Sequence, residues 1–197
     1  SASEASSGPP IEASPYSPVS RRAWNELFAD LDALGEPSPP PPPAGATGPL
    51  VDYDAAWLPR RAALERAAKR FQADNGASDP AFQRFLADRP ATVRYARFRG
   101  AVARLGPNWR SWPDAVRRGV LLEEHIEPGH EQLHLFAQWT MHGQLGEIAR
   151  RVEARGQLLA LDLALGANPS GFDVWDRQDV FVEGASVGAP PDLFFTR

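Results

Sequence analysis

Cysteine is absent from all 197 residues. No disulfide framework, thiolate nucleophile or cysteine-ligated metal is open to this chain. Long apolar runs are absent too, and none approaches the roughly 18–20 residues that a membrane-spanning helix needs. The opening SASEASSGPP has neither a basic start nor an apolar centre, so it does not read as a secretion signal. An excess of positive charge is also lacking. The formal net charge of −4 argues against a nucleic-acid or anionic-membrane surface. No phosphate-cradling loop and no G-x-G-x-x-G occurs. These absences leave a cytoplasmic protein without nucleic-acid or membrane partners as the expectation.

What is present begins with 20 prolines and 6 tryptophans. Tryptophan packs cores, and its flat face can also carry a sugar ring; burial habits put the core role first for any single one. The prolines divide the chain. Residues 1–20 are rich in Ser and Pro and read as irregular. Within them, Tyr16 stands between two prolines that restrict the backbone. Residues 21–49 read as a helix followed by a linker. Trp24, Leu27, Phe28, Leu31 and Leu34 have helical spacing, and Gly35 ends the run. The linker EPSPPPPPAGATGP has polyproline II character.

Residues 50–156 read as a helical subdomain. A first helix is expected from Asp54 to Asn75, stopped by Gly76. Asp79 followed by Pro80 gives the next helix a cap and a proline at its first position. A third helix is expected over residues 92–105. A short one follows in NWRSWPDAVRRG, capped by Ser111 or Asp114. The longest helix is expected over residues 129–155. Its apolar positions from Leu133 to Val152 keep a three-and-four spacing, and ARRVEAR places cations at its C-terminal end.

Residues 157–197 change character. Gly156 is followed at once by the apolar stretch QLLALDLAL, which carries Asp162. Helix, glycine turn and apolar strand together suggest an α/β unit with a strand buried on both faces. From the residues alone, the fold class is mainly α with one or two strands, the strand's partners lying outside these residues. An unpaired buried carboxylate costs several kcal/mol by order of magnitude. Asp162 is therefore expected to be hydrogen-bonded or to face a polar pocket at the strand's end. The acid-rich run from Asp173 to Asp179 is expected to be a solvated turn and helix start, since the ligand alternation of a calcium loop is missing.

One metal motif needs weighing. His130-Glu131-Gln132-Leu133-His134 fits H-E-x-x-H, the zinc-peptidase helix. Thr140 occupies the position of a third ligand, and His142, Glu147 and Glu153 follow on the same helix. The expectation is accordingly no metal. A zinc-dependent peptidase and a non-catalytic helical interaction module stand as alternatives.

Several stretches, in order, resemble the 4-alpha-glucanotransferases (amylomaltases, disproportionating enzymes) of glycoside hydrolase family 77. SPYSPVSRRAWNELFADL at 14–31 resembles the family's S-P-Y segment, and VDYDAAW at 51–57 its V-D-Y segment. HLFAQW at 134–139 is similar to its long helix with a Gln-Trp pair. ALDLALGANPSGFDVW at 160–175 resembles its third-strand segment, and GASVGAPPDLFF at 184–195 its G-x-P-P-D loop. Ala164 stands where the family usually has proline.

The resemblance implies a helical insertion plus the third-strand region of an incomplete (β/α)8 barrel. It also implies a retaining enzyme that transfers α-1,4-glucan segments between malto-oligosaccharides and needs no cofactor. The catalytic carboxylates would lie on later strands outside this chain, so the remainder of the barrel would be needed for activity. Within this chain, the resemblance implies that Tyr16 and Asp162 contact the substrate. Pro190, Pro191 and Asp192 would form a loop over the acceptor side.

Overall fold

The computed structural model describes residues 18–39, 53–182, 184 and 185, with the side chains of 53–56 left aside. Within these residues the architecture is helical: α1 (Tyr53–Ala73), α2 (Pro80–Asp88), α3 (Pro90–Leu105), α4 (Asp114–Arg117), α5 (Pro128–Glu153) and α6 (Phe172–Asp176). Short 3-10 turns fill several connections.

Local chemistry sets the helix ends. The Asp79 side chain accepts from the Ala81 N–H at 2.6 Å and the Phe82 N–H at 3.2 Å, and Pro80 opens α2. Glu127 caps α5 by accepting the His130 N–H at 2.7 Å, with Pro128 at the first position. At the end of α1, Asn75 takes the left-handed conformation (φ 62°). Gly76 beside it has a different reason to be glycine: a Cβ there would sit 2.3 Å from the Phe71 ring. The cap expected before α4 is not a side chain, because Pro113 holds that position and no side-chain cap bond is made.

Two apolar clusters hold the helices. The first joins α1 to α5 through Leu64, Ala67, Leu133, Phe136 and Met141, with Leu31 fully buried among them. The second surrounds α3. Phe98 lies 5.1 Å from Trp175 and 5.6 Å from Phe172, ring centre to ring centre. Trp109, Trp112 and Trp175 are buried. Each donates its indole N–H to a main-chain carbonyl: Pro169 at 3.1 Å, Gly106 at 2.9 Å and Val116 at 3.0 Å. An indole N–H buried without an acceptor would cost the fold free energy, and these three each have one.

Two expected elements are replaced by other structure. Residues 21–34 form no continuous helix, only the 3-10 turns Glu26–Phe28 and Asp32–Leu34. The reason lies on α5. Gln138 accepts the Trp24 N–H at 2.8 Å and donates to the Trp24 carbonyl at 2.8 Å. Gln144 does the same for Asp30, at 2.9 Å and 3.0 Å. Main-chain groups that a helix would pair internally are thereby committed to α5.

The expected strand at 157–165 is absent as well: no strand occurs among the described residues. Leu158, Leu161, Leu163 and Leu165 are exposed, Leu158 by 98 % and Leu165 by 86 %. A strand is defined by its ladder, and no neighbouring strand is available among the described residues. Asp162 is accordingly exposed rather than buried.

Candidate functional site

Residues 18–24 cross the helical body beside α2, α5 and the 162–164 stretch. Between them lies a cleft of about 510 Å³. Arg21 and Trp24 line it on one side, Arg89 and His142 on another, and Asp162 on a third. Trp24 is 40 % exposed, unlike the three buried tryptophans around α3. The Arg89 guanidinium lies 3.1 Å from His142 Nε2 and 5.1 Å from the Phe85 ring centre. Burial, followed by the Arg89 charge, holds the His142 imidazole below its ordinary range. The cleft thus offers an aromatic face, cations and one carboxylate, a set suited to a polyhydroxylated ligand with both flat and hydrogen-bonding surfaces.

The wall formed by residues 18–24 is held from behind by α6. Asp173 is buried and accepts from Ser20 Oγ at 2.7 Å, the Arg21 N–H at 2.8 Å and Arg22 Nε at 3.2 Å. Asp176 pairs with Arg22 Nη2 at 2.6 Å and with Arg94 Nε. Burial pushes the Asp176 carboxyl up, but its bonds to Arg22 and Arg94 outweigh this and hold it below the usual aspartate range. Arg22 lies over the Phe172 ring and Arg94 over Trp175, each at 4.8 Å. The acid-rich run is therefore no solvated turn at its start. Its first two acids are paired inside the fold, because arginines distant in sequence meet them there.

The H-E-x-x-H helix serves another purpose. His130 Nε2 lies 3.0 Å from an Arg61 guanidinium nitrogen. His134 is buried, with Nδ1 3.4 Å from Glu26 and its ring edge-on to Tyr95. Arg99 binds Tyr95 Oη at 3.0 Å and lies 3.6 Å from Glu26. Fixed cations beside both imidazoles oppose a metal ion there. No group of three or more His, Asp or Glu is placed for metal binding among the described residues.

Of the residues expected to touch substrate, the described structure contains Asp162 alone, on the cleft wall. Tyr16, Pro190, Pro191 and Asp192 lie outside the described residues. Sequence reading missed Trp24, which helical spacing assigned to a core, and Asp173, which its acidic neighbours disguised. It also passed over GASVG at 184–188, which fits G-x-S-x-G. A nucleophile elbow needs a strand before it, and residues 177–182 form turns and irregular chain.

A profile of the 4-alpha-glucanotransferase family, glycoside hydrolase family 77, matches residues 4–197. The chain belongs to this family. It is 31 % identical over 207 aligned residues to a 4-alpha-glucanotransferase of Mycobacterium tuberculosis (strain ATCC 25618 / H37Rv), covering 94 % of this chain and 28 % of that protein. To a 4-alpha-glucanotransferase of Chlamydia pneumoniae it is 26 % identical over 195 residues, covering 93 % of this chain and 37 % of the relative. A Haemophilus influenzae 4-alpha-glucanotransferase shares 35 % identity over 91 residues, 43 % of this chain. The chain thus spans between 28 % and 37 % of the first two relatives. The family 77 match takes in both the H-E-x-x-H helix and the cleft. Among the described residues, no helix is long and apolar enough to cross a membrane.

Proposed function

We propose that this chain is the substrate-wall segment of a 4-alpha-glucanotransferase acting on α-1,4-glucans and malto-oligosaccharides. The observation that carries the reading is the family 77 match across residues 4–197, with relatives named for that activity. The cleft beside Trp24 and Asp162 supports it, since an aromatic face next to polar groups suits a glucose ring.

In this reading the remainder of the enzyme completes a (β/α)8 barrel, with residues 157–165 as one of its strands. The exposed leucines of that stretch are what such a strand would bury. The catalytic pair lies on the remainder. One carboxylate attacks the anomeric carbon of a donor glucan and displaces the sugar at its reducing side as the second carboxyl protonates the departing oxygen. A glucan 4-hydroxyl then attacks the covalent intermediate and gives its proton back to that second group. A retaining pair of this kind stands about 5–5.5 Å apart. Each cycle breaks one glycosidic bond and forms another, so the number of bonds is conserved. The present segment contributes binding. Tyr16 and Asp162 hold glucose near the point of cleavage, and Pro190, Pro191 and Asp192 form a loop over the acceptor that favours sugar over water. No cofactor takes part. The reading places the enzyme in the cytoplasm.

The test uses the enzyme that contains residues 1–197 together with its barrel. Incubation with maltotriose is expected to give glucose and longer oligomers with constant total reducing ends. A steady rise in reducing ends would mean hydrolysis and would overturn the transferase reading. Zinc-dependent cleavage of peptides would favour the alternative.

A further inference from the structure

Three consecutive residues after the apolar stretch grip one short segment near the start of the described chain. Gly171 packs so tightly that a Cβ there would lie 2.5 Å from the Val19 carbonyl oxygen. The Phe172 N–H donates to that same carbonyl at 2.8 Å. Asp173 accepts from Ser20 Oγ, the Arg21 N–H and Arg22 Nε. These contacts join positions more than 150 residues apart in sequence. Three of them are made with the main chain, so they fix the path of residues 19–21 and not merely a side chain. A buried carboxylate is costly unless it is fully bonded, and here its bonding is spent on this segment.

Ser20, Arg21 and Arg22 line the cleft, two to four residues before Trp24. The other end of the grip, Gly171, follows Asp162 by nine residues. We propose that Gly171, Phe172 and Asp173 form a latch that sets the cleft wall at residues 18–24 against the Asp162 side of the glucan site, with Asp173 as a positioning residue for substrate binding. The inference rests on the glucanotransferase reading above. It adds a residue that touches no sugar and acts through the main chain of residues 19–21. Asp176 provides the internal contrast. It sits on the same helix and binds Arg22 and Arg94, but it makes no bond to the main chain of residues 19–21.

The experiment uses the complete enzyme and maltotriose disproportionation, comparing wild type with Ser20→Ala, Asp173→Asn and Asp176→Asn. Loss of charge-assisted bonds to the segment is expected to raise KM about tenfold in Asp173→Asn and about threefold in Ser20→Ala, with kcat within about twofold. Asp176→Asn loosens the Arg22 side chain and not the main chain of residues 19–21, so it is expected to raise KM no more than about threefold even where it lowers the melting temperature. Hydrogen exchange at the Arg21 and Phe172 amides is expected to quicken in Asp173→Asn alone. Ser20→Ala removes a single hydroxyl and carries the kinetic test if Asp173→Asn does not fold. Unchanged KM in both Ser20→Ala and Asp173→Asn, with an active wild type, overturns the latch and spares the family reading. Equal KM rises in Asp173→Asn and Asp176→Asn also overturn it, because a merely structural role predicts that. A wild-type enzyme without transfer activity overturns the glucanotransferase reading, and the latch's role in glucan binding falls with it.

Discussion

Replacing Gln138 with alanine removes a clamp that the fold has no means of restoring. Gln138 is 2 % exposed, and its amide satisfies both the N–H and the carbonyl of Trp24 at 2.8 Å. Alanine leaves two partly buried main-chain groups without partners. Each unsatisfied group costs about 1–3 kcal/mol, and the side of Trp24 facing solvent lowers the sum to about 2–4 kcal/mol. For a chain of this size that corresponds to a fall in melting temperature of about 4–16 °C. Gln144 makes the same pair of bonds to Asp30, but in an exposed setting. Water can replace it there, so Gln144→Ala should cost less than about 1 kcal/mol. Urea unfolding followed by both circular dichroism and tryptophan fluorescence would give the two values. Equal costs at the two positions would refute the reasoning, since burial is the only difference it invokes.

Further outcomes follow from the same geometry. Burial, then the charges of Arg99, His130 and Arg61, hold His134 well below its ordinary 6.5. The unfolded chain therefore binds a proton that the folded chain refuses, so stability is full above pH 6.5 and is lost as pH falls below it. Glu36, held low by its bonds to Arg70 and Arg66, adds a second loss below about pH 4.5, partly offset by Glu131, which burial raises. The urea midpoint should fall on acidification, and His134→Gln should shrink the first step to the share that His130 and His142, also held low, contribute; a midpoint independent of pH would contradict this. Gly100 lies inside α3, where alanine ordinarily stabilises by about 1 kcal/mol. Here a Cβ would lie 2.6 Å from Ile126 Cγ2, so Gly100→Ala should destabilise, as thermal melting would register. The leucines at 158, 161, 163 and 165 are exposed together. The 197-residue chain on its own should self-associate in sedimentation, and Leu161→Asp with Leu163→Asp should return it toward monomer.

Helix boundaries set by neighbouring residues were the most legible part of the sequence. Asp79-Pro80 and the glycine after Leu105 work through bonds to their immediate neighbours, so local letters are sufficient. The segment at 21–34 was misread for the opposite reason. Its apolar spacing is helical, but the glutamines that claim its main chain stand 114 positions away. Asp173 was hidden in the same manner, because its partners Ser20, Arg21 and Arg22 are more than 150 positions away. The stretch at 157–165 has strand-like composition but no ladder partner among the described residues. Its pattern reports what it is suited to pair with, which local sequence cannot supply. Part of the candidate site was legible from the residues. Asp162 stands out as a lone carboxylate in an apolar stretch, and it lines the cleft, whereas Trp24 has core-like helical spacing, and spacing does not reveal which face is covered.

The central claim is that residues 1–197 form the substrate wall of an α-1,4-glucan transferase. The most direct measurement is a time course of the complete enzyme with maltotriose, following both the oligosaccharide distribution and total reducing ends. The account predicts glucose and a ladder of longer maltooligosaccharides with constant reducing ends. An unchanged maltotriose pool, or reducing ends that climb as the sugar disappears, would contradict it.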